Sequence, residues 1–255
     1  VGTNTLTIRN LTYNLDDMEK SILQGLRNAF EKNNELRGFN VPKSDGTIKV
    51  GYADLKPEFF IQCQIAFQIK TDFSDYEIAL EVPTELFKNS SVDINERLSL
   101  NSFFRKWKIH KNGFLDIGIY DINSKAICPI EIKLINPQKK RILKDLKRLL
   151  DFLNNDNSTI DCAYFVYIYK EKIHYSLEQI TTDITNANNK IQKLLNAKFE
   201  NYKNKFIFDS CCESIGSYSN FESSDQMDGY EPLDLGELIS ENIHYVGVVI
   251  KITKR

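Results

Sequence analysis

The chain has 255 residues, which is long enough for one large domain or two small ones with a sizeable hydrophobic core. Hydrophobic residues make up 42% and charged residues 27%, as in an ordinary globular protein, and the formal net charge of −2 means that a nucleic-acid partner would need a local basic patch. No apolar run approaches the roughly 20 residues of a membrane-spanning helix and no signal peptide is recognisable, so we expect a cytoplasmic protein without a membrane partner.

The first quarter of the chain predicts a helical extension. Apolar residues at helical spacing from Met18 to Phe30 predict an amphipathic helix over residues 16 to about 36, which would pack on the core. Residues 1–14 are polar and β-leaning and predict a short strand or arm. Residues 38–56 read as a connection with one strand at 47–52.

Residues 57–70 fit either a helix or a strand. Apolar residues alternate with glutamines from Ile61 to Ile69, which is a strand pattern. Pro57 suits the first turn of a helix, and Glu58 suits its positive end. A helix would align Glu58 and Gln62 with the apolar residues of one face. We favour the helix, and the strand stays open.

The remaining elements alternate between strands and helices. The patterns predict strands at 76–82 and within 113–137, 162–169, 206–208 and 245–253, and helices at 95–107, 138–154 and 177–202. Residues 209–241 hold nine carboxylates and no Lys or Arg, which predicts a long exposed loop. The order of elements indicates an α/β fold in which a mixed central sheet is flanked by helices.

Cysteines and histidines give little indication of a site. The five cysteines are odd in number and form no CxxC pair, so we expect neither disulfides nor a zinc site. His110, His174 and His244 are far apart and adjoin no obvious nucleophile, and we expect each at the surface or at a strand edge.

The stretch 113–137 carries the chemistry. Asp116 lies in its first predicted strand, and Glu131 and Lys133 lie in the second. Because side chains alternate along a strand, Glu131 and Lys133 share a face opposite Ile132, and Asp116 joins them if the strands pair. Such a set needs mutual pairing or a bound metal. A Glu-x-Lys on a strand also occurs as a solvent-facing pair, which is the alternative without a function.

The residue types suit phosphodiester hydrolysis. Carboxylate oxygens of Asp116 and Glu131 are the ligands that Mg²⁺ prefers, with waters and a substrate phosphate completing its octahedron. Lys133 would orient or help to deprotonate the attacking water and would offset charge on the phosphate oxygens. We therefore expect Mg²⁺ as cofactor, with Mn²⁺ able to substitute.

The order of Asp116, Glu131-Ile132-Lys133, a helix and another apolar strand resembles the PD-(D/E)XK nuclease superfamily, the restriction-endonuclease-like fold. The likeness covers roughly residues 57–169, and Leu115 stands where the motif has proline. The resemblance implies metal-dependent cleavage of nucleic acid, most often DNA. It also implies that Asp116, Glu131 and the carbonyl of Ile132 hold the metal and that Lys133 is catalytic.

Many members also carry a glutamate on the preceding helix, with a glutamine one turn later. Glu58 and Gln62 match that spacing if residues 57–70 are helical, and Glu58 then joins the catalytic set. If that segment is a strand, Glu19 is the substitute, and Glu81 is a further acidic candidate.

The predicted helix after Pro137 is rich in cations. Six of its side chains are basic, against the single acid Asp145: Lys139, Lys140, Arg141, Lys144, Lys147 and Arg148. They either track phosphates beside the site or form an ordinary solvated face. We name the first four, with Gln62, as candidate nucleic-acid contacts.

We expect one domain over residues 1–255, with an N-terminal helical extension at 1–56, a nuclease-like core at 57–170, and a C-terminal helix, acidic loop and final strand at 171–255. The leading hypothesis is a Mg²⁺-dependent deoxyribonuclease that acts in a restriction or antiviral defence system, as a homodimer or as a subunit of a larger complex. The alternatives are a non-catalytic nucleic-acid-binding or assembly subunit with the nuclease fold, and an RNA- or structure-specific nuclease.

Overall fold

A computed structural model of the chain describes residues 17–36, 40–42, 48–50, 57–92, 113–133, 136–155, 158–173, 177–219 and 242–255. The helices are α1 (Met18–Leu36), α2 (Pro57–Asp72), α3 (Thr84–Ser90), α4 (Lys139–Leu153) and α5 (Leu177–Phe199), with a 3₁₀ turn at Glu200–Tyr202. The strands are β1 (Asn40–Pro42), β2 (Ile48–Val50), β3 (Glu77–Pro83), β4 (Phe114–Tyr120), β5 (Ala126–Lys133), β6 (Cys162–Ile173), β7 (Phe206–Ser219) and β8 (Asn242–Lys254).

Six strands form one mixed sheet in the order β3-β4-β5-β6-β8-β7, and β1 pairs with β2 separately. Strands β5 and β6 run parallel, with α4 as their crossover, and the other neighbours are antiparallel. Helices α1 and α2 bury their apolar faces on one side of the sheet, and α3, α4 and α5 bury theirs on the other. The predicted α/β class, with a mixed sheet flanked by helices, is confirmed.

Residues 57–70 form a helix, so that prediction is confirmed and the strand alternative is wrong. Helix α2 buries three isoleucines against one face of the sheet: Ile61, Ile65 and Ile69. Helix α1 packs closely on α2 because Gly25 has no side chain there. A Cβ on Gly25 would lie 2.6 Å from the Cα of Ile65.

Strands β3 and β4 change faces at one position, and this positions the site. Leu80 and Ile117 pair and pack on the α2 side, whereas Val82 and Leu115 pair and pack on the α4 side. Glu81 lies between them opposite Asp116 and has a φ of 50°, a left-handed conformation that is uncommon for glutamate. The change of face leaves the Asp116 side chain beside α2 and near the end of β5.

The C-terminal third differs from the prediction. We expected an exposed loop from residue 209, but residues 209–219 continue β7, so that part of the prediction is wrong. Polar side chains of this edge strand have partners on the helices that cover it. Glu213 pairs with Arg27 of α1, and Ser210 bonds to Asn188 and Gln192 of α5. The sequence pattern therefore looked exposed although these helices partly bury most of residues 210–216.

His244 is buried, which corrects the expectation of a surface or strand-edge position. Its side chain is 1% exposed and lies between β8 and α5. The Nε2 atom lies 2.8 Å from Ser214 Oγ, and Nδ1 lies 3.4 Å from Asp183 Oδ2.

Several predictions lie outside the described residues. These are the arm at 1–14, the helix at 95–107, the loop at 220–241, and the positions of His110 and His174. Among the helices that the structure describes, none combines the length and apolar character needed to cross a bilayer.

Candidate active site

Lys133 is at the centre of a charged cluster at the carboxyl end of β5. Its Nζ donates to the carbonyl of Ile132 at 2.8 Å and lies 3.3 Å from Glu58 Oε1. The same nitrogen lies 3.7 Å from Asp116 Oδ2 and 3.7 Å from Asp145 Oδ2. One ammonium therefore contacts three carboxylates that come from α2, β4 and α4.

Asp116 is held by two donors from different elements. Gln62 Nε2 donates to Oδ1 at 3.1 Å, and the backbone N–H of Ile132 donates to Oδ2 at 2.5 Å. These bonds fix the carboxylate between α2 and β5. Gln62 is itself buried, and its Oε1 has no hydrogen-bond partner among the described residues. Helix α2 thus supplies both predicted residues, Glu58 and Gln62, to the cluster.

Glu131 is the most confined acid of the cluster. Its side chain is fully buried on the α4 side of the sheet and forms an ion pair with the guanidinium of Arg148. No donor that the structure describes makes a well-directed hydrogen bond to either carboxylate oxygen. The ion pair with Arg148 therefore offsets the desolvation of this buried carboxylate only in part, and the Asp116 carboxylate beside it adds a like charge.

Burial and mutual repulsion shift the pKa values of the acids. Burial raises the pKa of Glu131 well above its usual range, and the nearby charge of Asp116 raises it further. Burial also raises the pKa of Asp116, although Lys133 and the Ile132 amide oppose that shift. Both acids therefore gain protons more readily than exposed carboxylates do.

Lys133 keeps its proton in this environment. Burial acts to lower its pKa, but Asp116, Asp145 and the other two acids outweigh burial, and the net shift is upward. Lys133 is thus a charged donor, which agrees better with the predicted roles in orientation and charge compensation than with that of a proton acceptor.

Asp145 and Arg148 also belong to this cluster, which was not predicted from the sequence. Asp145 Oδ1 lies 3.3 Å from an Arg148 nitrogen, and the two side chains stand one turn apart on α4. The signal was their position beside the apolar stripe of Ile142, Leu146 and Leu149. Charged side chains next to a buried apolar stripe point toward the protein interior, whereas the other basic side chains of α4 point to solvent.

The other candidates lie away from the cluster. Glu19 contacts Lys251 at 3.6 Å, and Glu81 is exposed on the edge strand opposite Asp116. The four predicted phosphate contacts are exposed in the first two turns of α4: Lys139, Lys140, Arg141 and Lys144. That helix has no acid in its first turn and no side-chain cap from Gln138.

The cluster offers a small donor set for a metal ion. In the described ranges, no group of three or more His, Cys, Asp or Glu side chains is placed to hold an ion together. What the site provides is two carboxylates, Asp116 and Glu131, and the carbonyl of Ile132 beside them. Mg²⁺ usually binds to one or two carboxylates and keeps several waters, so the chemistry of this set fits that ion.

Comparisons of the chain with protein-family models, with curated proteins and with solved structures gave no match.

Proposed function

We propose that this protein is a metal-dependent nuclease that hydrolyses phosphodiester bonds of DNA on a restriction-endonuclease-like fold. The observation that supports it best is the convergence of Asp116, Glu131, Lys133 and Glu58 from three elements, together with the unsatisfied oxygens of buried Glu131. A protein keeps such an unfavourable arrangement when the charges are used.

In this proposal Asp116, Glu131 and the Ile132 carbonyl hold Mg²⁺, for which Mn²⁺ can substitute. The Glu131 oxygens support this, because they contact Arg148 without a well-directed hydrogen bond and a metal ion would satisfy them better. When bound, the ion supplies Lewis-acid polarisation of the phosphate and activation of a water molecule.

The chain's own residues orient the reactants. Gln62 and the Ile132 amide hold the Asp116 carboxylate in one direction. Lys133 Nζ, protonated and held by Glu58, donates to the substrate phosphate or to the attacking water and compensates charge that develops on the phosphate oxygens. Glu58 is 35% exposed, so it faces the solvent side of the cluster, where substrate enters.

The start of α4 is the proposed DNA contact. Lys139, Lys140 and Arg141 stand at the positive end of the helix dipole, where cations cost about 0.3–1 kcal/mol each. A bound phosphate offsets that cost, because the free N–H groups and the side chains then act on the same anion. We further propose that the enzyme acts in the cytoplasm, in a restriction or defence system, as a homodimer or within a larger complex.

A cleavage assay tests the site. Linear, supercoiled and single-stranded DNA and RNA are incubated with protein and Mg²⁺ or Mn²⁺, alongside Asp116→Asn and Lys133→Ala. We expect cleavage of DNA to fall at least about a hundredfold in both variants. The exposed residues Glu85 and Lys193 give matched controls, Glu85→Gln and Lys193→Ala, which should cleave like the wild type.

The outcomes separate the proposed activity from its alternatives. Equal cleavage by the wild type and both site variants would show that the site assignment is wrong. Cleavage of RNA alone would support an RNA nuclease. DNA binding without cleavage of any substrate would support the non-catalytic subunit.

A further inference from the structure

Arg148 occupies a niche between the cluster and solvent. One guanidinium nitrogen faces Glu131 and Asp145, and the other donates to the carbonyl of Phe114 at 3.4 Å. Gly113 gives the guanidinium room on this side. A Cβ there would lie 3.1 Å from the second nitrogen. The side chain is 28% exposed, so the niche opens to the outside next to Phe114.

The contact between Arg148 and Glu131 is electrostatic but poorly directed. Neither Glu131 oxygen accepts a hydrogen bond with good geometry, and the Nε of Arg148 is buried without a partner within the described residues. A well-formed arginine–carboxylate pair has two parallel hydrogen bonds and is hard to replace. The pair seen here lacks them, so another cation can replace arginine at Glu131.

A divalent cation at Glu131 and the guanidinium exclude each other. Both need the same buried oxygens, and two positive charges a few ångströms apart in a partly buried site repel strongly. Asp145 retains the guanidinium through its neighbouring position on α4, and the open side of the niche gives it a direction in which to move. That direction is toward Phe114, two residues before Asp116 on β4.

We propose that Arg148 is a further substrate-binding residue with two positions. In the cation-free protein it pairs with Glu131, and when a divalent cation takes Glu131 it turns to the mouth of the site and binds a phosphate of the nucleic acid. The inference rests on the proposed function and adds a prediction of its own: Arg148 contributes to DNA binding only when a cation is present.

The test compares Arg148→Gln with Lys147→Gln. Lys147 is the adjacent cation of α4, carries the same charge and is exposed, so its substitution controls for net charge. Calorimetry measures Ca²⁺ binding, and fluorescence anisotropy measures binding of a DNA duplex with hydrolysis-resistant phosphorothioate linkages, with Ca²⁺ and with chelator.

We expect Arg148→Gln to bind Ca²⁺ about tenfold more tightly than the wild type, because a competing positive charge is gone. Its DNA affinity should fall about fivefold or more with Ca²⁺ and stay unchanged in chelator. Lys147→Gln should keep the wild-type Ca²⁺ affinity and lose the same small amount of DNA affinity in both conditions.

A wild-type measurement covers the case in which Arg148→Gln does not fold. The side-chain Nε–H signal of Arg148 in nitrogen-15 NMR, assigned with Arg148→Lys, should shift on addition of Ca²⁺. The signal of Arg27, which pairs with Glu213 elsewhere, should not.

Weaker Ca²⁺ binding by Arg148→Gln would overturn the proposal, because it would make Arg148 a fixed support of Glu131. An equal loss of DNA affinity with and without Ca²⁺, or an unchanged Arg148 signal at saturating Ca²⁺, would overturn it as well. These results leave the cleavage assay of the wild type unaffected. A wild-type protein that binds no divalent cation would overturn this inference together with the proposed function.

Discussion

Two buried polar clusters lie beside the central sheet, one at the carboxyl end of β5 between α2 and α4 and the other between β8 and α5, and they differ in how well their charges are satisfied. Around Glu131, four acids meet the two cations Lys133 and Arg148, and buried oxygens lack hydrogen bonds. The second cluster consists of Ser214, His244 and Asp183.

In the second cluster, no buried polar side-chain atom lacks a partner within the described part of the chain. Its residue types are those of a nucleophilic triad, but His244 and Asp183 are each only 1% exposed, so substrate has no access to them. Unsatisfied hydrogen-bonding groups and access to solvent, more than residue type, are therefore the reasons for proposing the first cluster, and not the second, as the reactive one.

The largest expected effect is on the rate of DNA cleavage, which should distinguish the two clusters. Glu131→Gln should lower the cleavage rate about a thousandfold, because it removes a proposed metal ligand and a charge. His244→Gln should leave the rate per folded molecule within about twofold. Single-turnover cleavage of DNA, normalised by circular dichroism to the folded fraction, measures both. A folded His244→Gln variant that lost activity as strongly would assign a catalytic role to the second cluster.

The next largest effect is on the free energy of unfolding, and it concerns the second cluster. His244→Ala should lower the free energy of unfolding by about 2–3 kcal/mol, because it opens a cavity and removes a partner from buried Asp183. For a chain of this length that corresponds to a fall of about 5–10 °C in Tm. Thermal unfolding followed by circular dichroism measures it. A Tm within 1 °C of the wild type would mean that the His244 network contributes little.

Much of the architecture was predictable from local pattern. The periodicity of α1 and α4, the alternation in β4 and β5, and the signals Pro57 and Glu58 at the start of α2 each specified an element correctly. The predicted length of β7 was too short, because the polar residues of this strand bond to α1 and α5. Those contacts involve residues far away in sequence.

The candidate site was predictable only in part, because some of its contacts join residues that are far apart in sequence. Asp116, Glu131 and Lys133 follow from strand alternation, whereas their partners Asp145 and Arg148 depend on how α4 packs across β5. His244 was misjudged because a histidine in a strand gives no sign of whether a helix covers it. Its partner Asp183 is 61 residues away.

The smallest expected effect is also on stability, but it has the opposite sign: replacing Glu131 should stabilise the folded protein, whereas replacing His244 should destabilise it. Burial raises the pKa of Glu131, so its charged form is disfavoured in the folded state. Below its unfolded-state pKa of about 4.3 the group is protonated in both states. As pH rises from about 4.3 to the raised folded-state pKa, the unfolded chain releases its proton first and the wild type loses stability, whereas Glu131→Gln does not.

Glu131→Gln should therefore be more stable than the wild type by about 1 kcal/mol at pH 8 in chelator, with a gain that shrinks as pH falls toward 4.3. Urea unfolding across this pH range measures the difference. Saturating Mg²⁺ should reverse the order, because only the wild type gains stability from the bound ion. A variant less stable than the wild type at pH 8 in chelator would show that the ion pair with Arg148 outweighs the burial of the charge, and the contrast between the two clusters would then disappear.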